Sequence, residues 1–553
     1  MFLTCISIPF FTLLLPGLTV ADSPIVSLSY GKYQGFVEGN LAQFLGVPFA
    51  HAERFRLPTE PIPFPGIQNA SEYGPACPQQ ALGPLPGLNI SGLTAPISEE
   101  CLTLDVFKPK LVTSARLPVL VWLYGGGFSV GNTRADDLKP LVERSITTQS
   151  PLIAVTVNYR VNAFGFLGGK EAAAAGITNI GLRDQIFALR WVQKHIANFG
   201  GDPSRVVLGG LSAGSISSSF LSLNNRYMSN TLFRGIFLQS GVAFHIRPQS
   251  DGQSEYDALV QAADCTKSKS TLDCLRHAPF DTLMAAVNNT PSITSYQTLN
   301  QVWAPHIDGD VIETDAWTAV RKGLYGKMPV LVTACDDEGT MFSLPTLNIT
   351  SVALHLFSHR FLSDDRFVGR PTNLWITFLY TATPVEIAQV SRLWPDDPTQ
   401  GSPFDTGTEN QLGPQYKRIA AFIGDDFEVS PRRFFLQHAS ARQNVWGTLN
   451  KRGKIMNVPL GAFHTSDGPI WFTNSTALGN FGMDALVSFV NRLDPNAPTN
   501  HSSSALFWPK WNTPSTEGDS SLLTFTDSDV QIIPDNFRKE AIDFLNEVRV
   551  RAG

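Results

Sequence analysis

The sequence predicts an α/β fold in which a large, mostly parallel central sheet is covered by helices on both faces. Three observations carry this reading. Several short segments are continuously apolar, as strands buried on both faces are, and L-P-V-L-V-W-L-Y (117–124) and L-I-A-V-T-V-N-Y (152–159) are the clearest. Helical spacing lies between them, as in Asp184–Phe199, where Ile186, Leu189, Val192 and Ile196 share a face. The two patterns then alternate along the chain, the order that builds a parallel sheet through crossover connections. With 553 residues, 43% hydrophobic and 16% charged, the chain has the material for one large ordered core.

Taken in order, the first element is not part of the fold. M-F-L-T-C-I-S-I-P-F-F-T-L-L-L-P-G-L-T-V-A is an apolar run ending in a small-x-small pattern at Thr19-Val20-Ala21. It reads as a secretory signal peptide cleaved near Ala21, and Pro9 and Pro16 argue against a spanning helix and so against a stable membrane anchor. Residues 22–553 read as one domain, since neither an internal repeat nor a low-complexity linker divides them. The Pro/Gly-rich patches Pro58–Gly66 and Pro84–Gly92 read as surface loops. After the two apolar strands and the helix, strands are expected before Ser212, at Gly235–Gln239, at Pro329–Ala334 and near Lys454–Leu460. A last amphipathic helix, with Asp535 as its cap, places Phe537, Ala541, Phe544 and Val548 on one face.

A net charge of -6 without any basic cluster excludes nucleic acid as a partner. Once Cys5 leaves with the signal, Cys77 and Cys101, and Cys265 and Cys274, can close two short loops, with Cys335 left over. N-x-S/T sequons at Asn69, Asn89, Asn288, Asn348, Asn474 and Asn500 fit a secreted glycoprotein.

R-V-V-L-G-G-L-S-A-G-S (205–215) contains G-x-S-x-G, a weak signal by itself among 44 glycines. Its context strengthens it, because a buried strand precedes and a Ser-rich, helix-opening stretch follows. A strand–turn–helix of this kind is a nucleophile elbow, in which a tight turn lifts the Ser212 hydroxyl above the sheet and only small flanking residues fit. The competing reading is a Gly/Ser helix cap without chemistry. A serine nucleophile needs a base, an orienting acid and oxyanion donors. Y-G-G-G-F (124–128), directly after a strand, offers backbone N–H groups, and the missing G-K-[ST] argues against a nucleotide loop. For the base, His464 in L-G-A-F-H-T-S-D-G lies in a small-residue loop late in the chain. For the acid, V-L-V-T-A-C-D-D-E-G offers Asp336, Asp337 and Glu338, which pattern alone does not separate.

With these residues in place, the chain resembles the type-B carboxylesterase/lipase family, the cholinesterase-like branch of the α/β-hydrolases. The resemblance rests on F-L-G-V-P-F-A (44–50), S-E-E-C-L-T-L-D-V (98–106), Y-G-G-G-F (124–128), N-Y-R-V-N-A-F-G-F-L (158–167), G-L-R-D-Q-I-F-A-L-R-W-V-Q (181–193), F-G-G-D-P (199–203), A-P-H-I-D-G (304–309) and W-P-K-W (508–511). It implies the α/β-hydrolase fold, with Ser212 as nucleophile, Glu338 as acid and His464 as base. It also implies Gly126, Gly127 and Ala213 as oxyanion donors, and bridges Cys77–Cys101 and Cys265–Cys274 with Cys335 a buried thiol. Most members carry Glu immediately before the serine, where this chain has Leu211. Asp467, three residues past His464, matches a family acidic position and would compensate in part for the missing charge beside the histidine.

The expected activity is hydrolysis of a small-molecule carboxylic ester, a chemistry that calls for neither cofactor nor metal. The Cys77–Cys101 segment holds the family's lid or choline site and has no Trp, Tyr or Phe, so it lacks the aromatic face that holds a quaternary ammonium. Its Pro and Gly residues also break the amphipathic helix of an interfacial lid. Both points favour soluble or small acyl esters. Triacylglycerol or sterol-ester lipolysis, and esterase or acyltransferase tailoring of a fungal secondary metabolite, are the alternatives, since the His464 motif most resembles secreted fungal members. Non-catalytic adhesion relatives have lost the nucleophile, which is present here.

Overall fold

The computed structural model describes residues 23–83, 95–111, 116–224, 232–295, 302–347, 379, 382–473, 477–496, 506–515 and 518–552. The signal segment, Pro84–Gly92, and the sequons at Asn89, Asn348, Asn474 and Asn500 lie outside the described residues. Asn69 and Asn288 are both exposed, and Asn288 Oδ1 accepts a hydrogen bond from the Ala81 N–H at 2.8 Å.

Strands β1 (Ile25–Leu28), β2 (Gly31–Gln34) and β5 (Ile67–Asn69) form a small outlying sheet. Among the described residues the central sheet has eleven strands: β3 (Phe36–Glu38), β4 (Leu41–Pro48), β6 (Thr103–Pro109), β7 (Leu117–Leu123), β8 (Ile153–Val157), β9 (Gly201–Leu211), β10 (Gly235–Gln239), β11 (Val330–Thr333), β12 (Val445–Asn450), β13 (Ser521–Phe525) and β14 (Val530–Pro534). Their spatial order is β14-β13-β12-β11-β10-β9-β7-β8-β6-β4-β3. Pairings from β8 through β13 are parallel, and the two edges are antiparallel. This is the α/β-hydrolase architecture. The chain leaves β7 on one side to make β8 and returns on the other to make β9. The carboxyl ends of β7 and β9 therefore flank a topological switch point, where open α/β sheets place their ligands.

The continuously apolar strands divide their residues between two cores by simple alternation. Val119, Val121 and Leu123 of β7, Val206 and Leu208 of β9, and Val330 and Val332 of β11 face one core, against helix Ile180–His195 with Leu182, Ile186, Leu189 and Val192. Leu120, Trp122, Val207, Phe237 and Leu331 face the other, against helix Ala477–Arg492 with Met483, Leu486, Val487 and Val490. Burying both faces is what a run without alternation requires, and it leaves the strand ends as the place for polar chemistry.

Two local expectations are corrected. Lys454–Leu460 is a succession of turns rather than a strand, with Ile455 83% and Met456 86% exposed. The strand in that region is β12, Val445–Asn450, whose pattern is interrupted by Gly447; a Cβ there would lie 2.7 Å from Leu522 Cδ2. Asp535 does not cap the last helix, which runs Lys539–Ala552. It is buried beneath it, accepting from Arg432 (3.1 Å), Arg433 (2.7 Å) and Trp511 Nε1 (2.9 Å). Bridges join Cys77 to Cys101 and Cys265 to Cys274, and Cys335 is a buried free thiol.

Candidate active site

Ser212 ends β9 and precedes helix Ala213–Ser222, with φ 54° and ψ -121°, a left-handed backbone that a non-glycine residue adopts only under constraint. The flanking glycines show what forces it. A Cβ on Gly214 would sit 2.0 Å from the Leu123 carbonyl oxygen, and one on Gly210 would sit 2.4 Å from the Gly214 carbonyl carbon. The turn closes only because both side chains are absent, and it holds the hydroxyl at the carboxyl edge of the sheet.

The Ser212 hydroxyl lies 2.8 Å from His464 Nε2, and His464 Nδ1 lies 2.5 Å from Glu338 Oε2. All three residues are buried, and the Phe342 ring packs over the imidazole at 4.9 Å. The other Glu338 oxygen accepts from the Ser240 hydroxyl at 2.9 Å and from the Cys335 N–H at 2.5 Å. With one oxygen held from behind, the second is aimed at the histidine.

The loop after β11 separates the three candidate acids. Asp336 accepts from Lys454 Nζ at 2.6 Å. Asp337 accepts from the Ser402 hydroxyl at 2.9 Å and from the N–H groups of Phe404 (2.7 Å) and Ala462 (2.8 Å). Both aspartates are thereby committed to tying loops together, and Glu338 alone reaches the imidazole. Asp337 is pushed up by burial and by Asp336, against the opposing pull of Lys454.

Gly126 and Gly127 lie beside the elbow with φ 112° and 59°. A Cβ on Gly126 would meet the Val130 carbonyl oxygen at 2.3 Å, and one on Gly125 would come within 3.0 Å of Ser212 Cβ. Glycine is thus required both by the backbone conformation and by the approach to the serine. Gln79, two residues past the bridged Cys77, accepts from the Gly131 N–H at 2.6 Å and anchors the far end of this loop.

Neither Leu211 nor Asp467 takes part in the hydrogen bonds that join Ser212, His464 and Glu338. Leu211 packs against the core that contains Trp122, Phe237 and Trp471. Asp467 accepts from Gln239 Nε2 (2.8 Å), Thr333 Oγ1 (2.9 Å) and Trp471 Nε1 (2.9 Å), clamping the ends of β10 and β11 to helix Gly468–Phe472. Burial pushes its carboxyl up. Of the other histidines, His245 pairs with Asp315 at 2.7 Å, and burial lowers His306 to about 4. The sequence reading missed Ser240, which carried only a faint signal as a small polar residue immediately after β10.

An elbow serine on a mostly parallel sheet, facing a histidine and a buried carboxylate from later loops, defines an α/β-hydrolase. Residues 22–544 match the carboxylesterase family. The chain is 33% identical to Lipase 4 of Diutina rugosa over 95% of its own length and 96% of that protein's. It is 34% identical to Secreted lipase 1 of Botryotinia fuckeliana, covering 96% and 92% respectively, and 33% identical to a secreted triacylglycerol lipase of Gibberella zeae, covering 94% and 89%. The solved structure of Aspergillus niger EstA superposes with a TM-score of 0.79 at 25% identity, over 96% of this chain and 99% of that one. The chain belongs to the carboxylesterase family and is a carboxylic-ester hydrolase.

Proposed function

We propose that the protein is a secreted serine carboxylesterase acting through an acyl-enzyme on Ser212, with soluble or small acyl esters as substrates. The observation that carries the catalytic part is the unbroken chain of hydrogen-bond distances from Ser212 through His464 to Glu338. In this reading His464 Nε2 takes the Ser212 proton as Oγ attacks the ester carbonyl carbon. The Glu338 carboxylate accepts from Nδ1–H, fixes the tautomer and stabilises the imidazolium. The N–H groups of Gly126, Gly127 and Ala213 receive the oxyanion. The imidazolium then gives its proton to the departing alcohol, and a water activated by the same nitrogen releases the acid.

The substrate part rests on the Cys77–Cys101 segment, which has no aromatic residue to make a choline face and whose Pro and Gly residues disfavour an amphipathic helix. Secretion is supported by the leader, the two bridges and relatives named as secreted lipases; among the described residues no helix is long and apolar enough to cross a membrane. The names of those relatives favour a second reading, lipolysis of triacylglycerol. A panel of esters of rising acyl length, assayed with and without an emulsion, tests the choice. Small-ester specificity predicts that turnover peaks at short chains with no jump at the interface, and an emulsion-dependent rise on long chains refutes it. Ser212→Ala is expected to abolish turnover with the fold retained, and residual activity comparable to wild type refutes the acyl-enzyme.

A further inference from the structure

A second buried carboxyl group stands beside the catalytic pair. One oxygen each of Glu338 and Glu428 and one ring nitrogen of His464 all lie within 4.8 Å of one another. Glu428 arrives on an irregular helix. Helix Tyr416–Gly424 passes through a π-turn at Asp425–Val429 and continues as helix Ser430–Ala439. Pro431 brings no N–H to the ladder, a natural place for such a widening, and π-turns recur at functional sites.

The helix is pressed onto the acid loop by two glycines. A Cβ on Gly339 would lie 2.0 Å from the Ala420 carbonyl oxygen, and one on Gly424 would lie 3.0 Å from the Gly339 nitrogen. The π-turn then splits its acids. Asp425 accepts from Arg538 at 2.7 Å, and Asp426 accepts from Arg549 at 2.7 Å. Glu428 turns toward the triad, while Arg432, one turn on, directs both terminal nitrogens at Asp535 at 3.1 Å.

We propose that Glu428 is a positioning residue for ester hydrolysis, acting through the charge it presents to the Glu338–His464 pair. The inference rests on the triad reading given above. Two carboxyl groups this close in a dry site do not both ionise readily. Burial, then Glu338, push the Glu428 carboxyl well above the ordinary range; Arg432 opposes this and Asp467 adds to it. The Cys335 thiol, raised by burial and by Asp467 and Glu338, brings no competing charge. Asp425, Asp426, Arg538 and Arg549 are paired with one another, and His245 lies beside Asp315. When Glu428 loses its proton, a second negative charge faces the imidazole. That charge is repelled by Glu338 in the resting enzyme and attracted by the imidazolium of the transition state, so ionisation accelerates the reaction. Leu211, before the nucleophile, supplies no such charge.

The test is the pH profile of kcat/KM on a soluble chromogenic ester, with Ser212→Ala as the blank. Wild type is expected to rise in two steps, the second of about tenfold, as for one partly screened neighbouring charge. Glu428→Gln should rise in one step to the lower plateau, and Glu428→Asp should keep both. The low-field proton resonance of the His464–Glu338 hydrogen bond should shift in the same second step in wild type and not in Glu428→Gln. A single-step wild-type profile, which needs no variant to fold, overturns the proposal, as does a second step that survives in Glu428→Gln. Activity in Ser212→Ala would overturn the triad reading instead.

Discussion

Gly339→Ala is the most revealing single change for how the acid is held. The glycine follows Glu338, and the Cβ it lacks would lie 2.0 Å from the Ala420 carbonyl oxygen and 2.6 Å from the Gly424 N–H nitrogen, whereas real Cβ contacts stay beyond 3.0 Å. Both obstacles are backbone of a buried helix, so no flexible side chain can yield. The acid loop or the helix must therefore move by about 1 Å, and a misplacement of that size near the chemistry costs on the order of a hundredfold. The displacement falls on the Glu338–His464 contact of 2.5 Å and on the Ser240 and Cys335 bonds that aim the carboxylate. The acid acts on the chemical step through the histidine, so kcat should fall about a hundredfold while KM changes little. Steady-state kinetics with active-site titration would measure this, with circular dichroism confirming the fold. If kcat stays within about threefold in a folded variant, the glycine does not set the position of the acid.

Gly126→Val should lower kcat by at least about a hundredfold, the cost of losing one oxyanion donor, and a loss under threefold would remove that loop from the oxyanion role. Non-reducing peptide mapping should recover Cys77 with Cys101 and Cys265 with Cys274, while Cys335 reacts with an alkylating agent only after denaturation. Burial raises Asp535, but Arg432 and Arg433 outweigh it and hold the carboxyl at about 2. A depressed folded value means its stabilisation is present above the unfolded value near 4 and is lost as pH falls toward 2. Asp535→Asn should therefore flatten the acid dependence of unfolding in that window. It should also cost about 3–5 kcal/mol at neutral pH by leaving two buried guanidinium groups without their anion; chemical denaturation across pH measures both.

The apolar runs of β7 and β8 were legible because burial on both faces needs no partner to be specified, only the absence of alternation. The elbow was legible for a steric reason, since Gly210 and Gly214 are demanded by contacts within a few residues of Ser212 and with the adjacent strand end. The same logic misled at Lys454–Leu460, where local apolar residues suggested a strand that the packing places in exposed turns, and at β12, where a single glycine broke the pattern. Asp535 looked like a cap because caps are local, and its arginine partners lie more than a hundred positions away. The choice among Asp336, Asp337 and Glu338 was of this kind, for the three are adjacent and chemically alike, and the residues that separate them come from other loops. His464 and Glu338 are 126 positions apart, and His464 and Ser212 are 252 apart. By itself the sequence determined the sheet, the strained serine and the glycine loop, because each follows from the sterics and burial of neighbouring residues. The residue pattern left the three acids unseparated and only the family resemblance pointed to Glu338; the tertiary structure supplies the physical reason and brings Glu428 beside the pair, because those contacts exist only once distant loops and a widened helix are packed against one another.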